Sequence, residues 1–284
     1  MKIYPVMQSL YILGDIGYFG YNLKHIVNSF KYDVILQNSK IILLGDNFYP
    51  DGILSKYDEQ WSQYQNVFRD IPYQNINSVM GNHDYHGNPF YQIQSKYLNN
   101  NELYFKQSFQ NIDLYYLDTV LLYKGHCFIN EDKIKSIFDR SHRELKLEQL
   151  TWFEENLKIS RSNNKKIIVF GHYPILSNGY YYNDLKPLYK TLMPLFEKYK
   201  IDAYISGHEH NIQYINKQIN KDYLFHQFIV GSSSENRQDE FKNEFHNDMF
   251  ENDNNYYLKL YLLNNKIICE FKNKNNEIKH SYII

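Results

Sequence analysis

Short apolar runs that end at a glycine recur along this chain, and they constrain its fold more than any other feature. Tyr11-Ile12-Leu13 meets Gly14, Ile41-Ile42-Leu43-Leu44 meets Gly45, and Val79-Met80 meets Gly81. Ile167-Ile168-Val169-Phe170 then meets Gly171, Ala203-Tyr204-Ile205-Ser206 meets Gly207, and Phe228-Ile229-Val230 meets Gly231. Runs this short, continuous and rich in β-branched residues predict central strands buried on both faces. Helical spacing fills residues 22–30, 56–68, 145–159 and 185–199, so strands and helices alternate and the fold class is α/β. Residues 103–109, 113–117 and the tail 256–284 read as further strands, predicted to form a second, more antiparallel sheet. The Asn- and Asp-rich stretch 247–255 reads as a surface loop. Without an internal repeat or long linker, residues 1–284 are expected to form one domain.

The residues just past each glycine carry the chemistry. Five of the junctions continue into polar donors: Gly14-Asp15, Gly45-Asp46-Asn47-Phe48-Tyr49, Gly81-Asn82-His83-Asp84, Gly171-His172-Tyr173-Pro174 and Gly207-His208-Glu209-His210. Glycine at a strand end permits a sharp turn and a close backbone approach. Ligands of open α/β sheets bind outside the carboxyl ends of the strands, so these junctions should converge. Taken singly, a Gly-Asp pair is ordinarily a turn. Together they supply two aspartates, an asparagine, three histidines and a tyrosine, oxygen and nitrogen donors enough for two metal ions.

The order GD, GDNFY, GNHD, GHYP, GHEH resembles the calcineurin-like metallophosphoesterase superfamily. Tyr49 in the second motif narrows the resemblance to the purple acid phosphatases of the small, tartrate-resistant type, over residues 11–234. That resemblance implies a central β-sandwich of two mixed sheets flanked by helices. It implies that Asp15, Asp46, Tyr49 and His210 hold Fe(III), while Asp46, Asn82, His172 and His208 hold a divalent ion, Fe, Zn or Mn, with Asp46 bridging. Anionic oxygens suit Fe(III), and imidazole with an amide oxygen suits the divalent ion, so the residue chemistry agrees. The implied activity is acid-phosphatase-type hydrolysis of phosphomonoesters, a metal-bound hydroxide attacking phosphorus in line. His83 is the expected acid for the leaving group, with Asp84 orienting its imidazole; the plainer alternative is that His83 only hydrogen-bonds its loop. Small phosphatases of this type place a second histidine shortly after GHYP, whereas Ser177-Asn178-Gly179-Tyr180-Tyr181-Tyr182 has none. The tyrosine triplet reads equally as an apolar loop or as an aromatic lip for a substrate ring.

Bulk properties trim the remaining classes. The net charge is -1, with Lys and Arg scattered among Asp and Glu, which speaks against nucleic acid as a partner. No apolar run is long enough to span a bilayer, which predicts a soluble chain. No secretory leader is visible after Met1 and no Asn-x-Ser/Thr acceptor occurs, so cytoplasmic residence is favoured over secreted or lysosomal. Cys127 and Cys269 read as buried free thiols. His25, His86, His126, His142, His226, His246 and His280 read as surface or packing residues, Trp61 and Trp152 as core, and Asp118 as a turn cap or a support for the site. The expected substrate is a small-molecule or protein phosphoester. Two rivals remain: a phosphodiesterase or protein phosphatase with the same two-metal centre, and a non-catalytic metal-binding scaffold.

Overall fold

The computed structural model describes residues 8–100, 102–123, 129–238, 241 and 249–284. Its strands, in chain order, are β1 (Ser9–Leu13), β2 (Lys40–Leu43), β3 (Ile76–Ser78), β4 (Phe105–Phe109), β5 (Ile112–Tyr116), β6 (Lys166–Phe170) and β7 (Ala203–Ser206). They continue with β8 (Ile212–Asn220), β9 (Tyr223–Val230), β10 (Met249–Glu251), β11 (Tyr256–Leu263), β12 (Lys266–Asn273) and β13 (Ile278–Ile283). One sheet has the order β13-β12-β11-β1-β2-β3 and the other β10-β8-β9-β7-β6-β5-β4. Each is mixed. β1, β2 and β3 run parallel and the tail strands antiparallel. In the other sheet β5, β6, β7 and β9 run parallel, with β4, β8 and β10 antiparallel at its margins.

The period-two alternation of a strand explains the layering. On β1, Leu10 and Ile12 point between the sheets, while Tyr11 and Leu13 point outward against the helix Tyr21–Gln37. On β6, Ile168 and Phe170 face the sandwich interior, while Ile167 and Val169 pack under the helices His142–Ser162 and Lys186–Tyr199. The helices thus cover the outer faces of a two-sheet sandwich. With both faces covered, the central strands carry unbroken apolar runs, and each fully buried aliphatic side chain contributes about 1.5–3 kcal/mol. Cys269 lies inside this sandwich as a free thiol; Cys127, His126 and His246 lie outside the described residues. No helix among the described residues is long and apolar enough to cross a membrane.

Several sequence expectations need correction. The segments 103–117 and 256–284 do not make a separate antiparallel sheet: β4 and β5 extend one sheet and β11–β13 the other. Both groups satisfy their backbone by pairing with the edge of a parallel core, β5 with β6 and β11 with β1. Within the Asn-rich stretch, β10 pairs with β8 rather than looping freely. The helix expected from residue 56 begins at Gln60, because Asp58 accepts from Leu54 N–H and Gln60 N–H and holds a turn first. The helix His142–Ser162 starts earlier than the apolar spacing suggests, where Ser141 and Glu144 form a capping box. Val79 and Met80 lie just beyond β3. Trp61 is buried and Trp152 is half-buried against the core.

Candidate metal centre

The loops after β1, β2, β3, β6 and β7 meet at the ends of both sheets. Asp15 follows β1, Asp46 and Tyr49 follow β2, Asn82 follows β3, His172 follows β6, and His208 and His210 follow β7. Crowding there is severe. A Cβ on Gly81 would stand 2.2 Å from Asp46 Oδ1, so only glycine lets the third loop approach the second. Gly45 has φ +89°, a conformation that side chains rarely adopt. Three of the donors themselves, Asp15, Asp46 and His208, have φ of 56°, 51° and 68°. Left-handed backbone at non-glycine residues costs free energy and persists only where the surroundings enforce it, here at the turns that aim these side chains inward.

The donor atoms form two pockets that share Asp46. In one, the Tyr49 hydroxyl lies 3.2 Å from Asp15 Oδ1, 3.1 Å from Asp46 Oδ2 and 3.1 Å from His210 Nε2, with His210 Nε2 3.6 Å from Asp15 Oδ1. In the other, His172 Nε2 lies 3.0 Å from Asn82 Oδ1, 3.2 Å from His208 Nδ1 and 3.5 Å from Asp46 Oδ1. The two oxygens of Asp46 therefore face opposite pockets. Asp46, His172 and His208 offer donor atoms within 4.8 Å of one another. The ring of His172 is fixed by its other nitrogen, whose N–H donates to Leu44 carbonyl at 2.9 Å and leaves Nε2 as the lone-pair atom.

Electrostatics fit cations in these pockets. Burial and the neighbouring Asp46 push Asp15 well above the usual carboxylate range, and burial with Asp46 and Asp15 raises Tyr49. Burial lowers His172, lowers His208 well below its ordinary value, and lowers His210 to about 4, so the imidazoles are held neutral. A packed set of buried acids beside neutral imidazoles lacks a positive charge at its middle, and two metal ions would provide it.

His83 and Asp84 part company. The His83 ring is partly exposed at the mouth, edge-on to Tyr49 at 4.7 Å between centroids, with Nε2 4.0 Å from Asp46 Oδ2. Its Nδ1–H donates to Pro50 carbonyl. Asp84 does not orient this ring. Its buried carboxylate accepts from Gly81 N–H (2.8 Å), Asn47 N–H (3.0 Å), the Asn47 amide (3.2 Å) and the Gln92 amide (2.8 Å). Burial and Asp46 raise Asp84 to about 7. Backbone N–H groups of two loops need an acceptor there, which draws the side chain beneath the loops and away from the ring.

Sequence reasoning misses other neighbours of the centre. Glu209, between His208 and His210, accepts from Ser177 Oγ–H (2.6 Å), Tyr180 N–H (3.2 Å) and Tyr181 N–H (3.0 Å) and so holds the tyrosine loop. Tyr181 lies over His208 at 4.3 Å, while Tyr180 is exposed. His86 is an exposed packing residue, as expected, and it stacks edge-on against His83 at 5.0 Å and sits 3.6 Å from Asp51. The acid inside GHEH is the available signal for Glu209; nothing local marks His86. Asp118 caps the short helix Thr119–Leu122 and accepts from the Tyr85 hydroxyl, the cap of the two alternatives.

Comparison with known proteins assigns the family. The model of the calcineurin-like phosphoesterase family matches residues 9–211. The chain belongs to that family. Among curated relatives, tartrate-resistant acid phosphatase type 5 of Oryctolagus cuniculus is 32% identical over 198 residues, covering 65% of this chain and 59% of the relative. The Homo sapiens protein of that name is 31% identical over 205 residues, covering 67% and 61%, and purple acid phosphatase 3 of Arabidopsis thaliana is 30% identical over 185 residues, covering 62% and 49%. The chain thus spans about half to three fifths of the length of the curated relatives it matches. Among solved structures, GAP50, the anchor in the inner membrane complex of Plasmodium, superposes with TM-score 0.74 at 22% identity, covering 98% of this chain and 88% of that one. A purple acid phosphatase from yellow lupin (Lupinus luteus) seeds gives TM-score 0.72 at 17% identity, covering 99% and 55%. The expected fold, two mixed sheets flanked by helices, is borne out.

Proposed function

We propose that this chain hydrolyses phosphomonoesters, in the manner of an acid phosphatase, at a centre of two cations. Fe(III) would be held by Asp15, Asp46, Tyr49 and His210, and a divalent ion, Fe, Zn or Mn, by Asp46, Asn82, His172 and His208. The observation that carries this reading is the Asp46 carboxylate with one oxygen toward each donor set. Hard carboxylate and phenolate oxygens suit the ferric ion, and imidazole nitrogens with an amide oxygen suit the divalent one. Such ions supply positive charge to phosphoryl oxygens and make water more acidic.

The chain's own residues do the remainder. His83, at the mouth, is the proposed acid for the leaving group. Because its Nδ1–H is committed to Pro50, its cationic form presents the second proton at Nε2, on the side facing Asp46. Asp84 ties the second and third loops together, which keeps Asp46 and Asn82 in register. Glu209 fixes the tyrosine loop and so sets Tyr181 against the ring of His208.

The test is elemental analysis of the purified protein alongside turnover of an aryl phosphate and of a bis-aryl phosphodiester. About two metal ions per chain and a clear preference for the monoester are expected. Preference for the diester would instead identify a phosphodiesterase. A protein with both ions and no turnover on any phosphoester would be a metal-binding scaffold, a reading to which the Plasmodium anchor adds nothing, since likeness at 22% identity speaks of fold alone.

A further inference from the structure

The loop after β9 brings a guanidinium to the mouth of the centre. Arg237 N–H donates to His210 carbonyl at 2.7 Å, Ser234 Oγ–H donates to Asp15 carbonyl, and Ser233 Oγ accepts from Gly14 N–H at 3.2 Å. The segment bearing Arg237 is therefore tied to the loops bearing Asp15 and His210. The guanidinium carbon lies 5.9 Å from the ring centroids of both Tyr180 and Tyr181. The Tyr181 ring in turn lies 4.3 Å from that of His208, at 30° between planes. Tyr181 thus contacts both the ring of His208 and the guanidinium of Arg237. Arg237 falls outside residues 9–211 matched by the family model.

We infer that Arg237 contacts the substrate, its guanidinium taking a non-bridging oxygen of the phosphoryl group on the side of the centre bounded by His208 and His210. The inference rests on the proposed phosphomonoesterase reading. A guanidinium presents parallel N–H donors that match phosphate oxygens, and it is always charged. Two aromatic faces within about 6 Å favour a cation and limit its rotamers, so less freedom is lost when phosphate arrives. Residues 177–182 contain no basic side chain, and Arg237 sets a guanidinium 5.9 Å from the Tyr181 ring of that loop. The substrate class this implies is a phosphomonoester whose dianionic head sits deep, with its leaving group directed toward His83.

The test compares wild type with Arg237→Gln and Arg237→Lys, each assayed for metal content, for the Kd of inorganic phosphate by calorimetry, and for kcat and KM on an aryl phosphate. Arg237→Gln should keep its metal and raise both the phosphate Kd and the KM by roughly tenfold to a hundredfold, the loss of one charge-assisted contact. Arg237→Lys should recover part of that loss, since the charge returns without the fork. An unchanged phosphate Kd in a metal-replete Arg237→Gln protein would overturn the inference. So would loss of metal in both variants, which would make Arg237 a tie between loops only. Wild type that holds its metals yet neither binds phosphate nor turns over any phosphoester would sink the functional reading as well as this one.

Discussion

The two sheets feed one centre with different chemistry. Loops of the sheet containing β1, β2 and β3 deliver Asp15, Asp46, Tyr49 and Asn82, which offer oxygen alone; loops of the sheet containing β6 and β7 deliver His172, His208 and His210, which offer nitrogen alone. Burial acts on the two groups in opposite protonation senses. It pushes Asp15 and Tyr49 up toward their neutral, protonated forms and the three histidines down toward their neutral, unprotonated ones. The oxygen side therefore needs positive charge from outside the chain, while the nitrogen side is ready to coordinate as it stands. Each pocket takes donors from both sheets, so neither exists unless the sandwich is closed.

The hardest blow to that division is Asp46→Ala, because Asp46 turns one oxygen to each pocket. Both metals and turnover should go together, with aryl phosphate hydrolysis falling on the order of a thousandfold or more. Retention of either metal at full occupancy, measured by elemental analysis, would break the shared-ligand picture. Next in size is His83→Ala, which removes a ring packed on Tyr49 but no proposed donor atom: metal content should hold while kcat falls about a hundredfold to ten thousandfold for poor leaving groups and less for good ones. Equal loss across a leaving-group series would remove its role as an acid.

Single-pocket variants sharpen the contrast between oxygen and nitrogen sides. Tyr49→Phe should abolish a visible absorption band arising from phenolate on Fe(III), and an unchanged spectrum would reject the assignment of that pocket. Asn82→Ala should leave that band in place while weakening the divalent ion by roughly tenfold to a hundredfold, read by metal titration. The smallest effect belongs to a buried carboxylate outside both pockets. Burial raises Asp118 to about 7. Its folded-state pKa thus exceeds the ordinary value of 3.8, so the stability linked to its proton is fully present below that value and is lost as pH rises from there through about 7. Asp118→Asn should flatten the stability profile over this window by at most a few kcal/mol, followed by denaturant unfolding, with metal content unchanged.

Much of this is legible in the chain itself. Apolar runs closing on glycine mark β1, β2, β6 and β7 because strands buried on both faces are built mostly from apolar residues, and the donors come directly after the turns. Asp84 departs from its expected place for an equally local reason. Adjacent residues on a tight loop point to different sides, and the side chain beside His83 in sequence is beneath the loop in space, serving Gly81 and Asn47. Glu209 carries a local signal in GHEH but not its role, and Arg237 carries none, because their relation to the centre runs through contacts with the tyrosine loop and His210.

Periodicity and turn chemistry are short-range properties, so the amino-acid order by itself determined the strand cores, the sharp turns after them and the kinds of donor those turns carry. Which sheet each later strand joins, which oxygen of Asp46 looks toward which partner, and which cation stands over Tyr181 depend on contacts between residues far apart in the chain. Those contacts arise only when two sheets pack face to face, and only the tertiary structure could decide them.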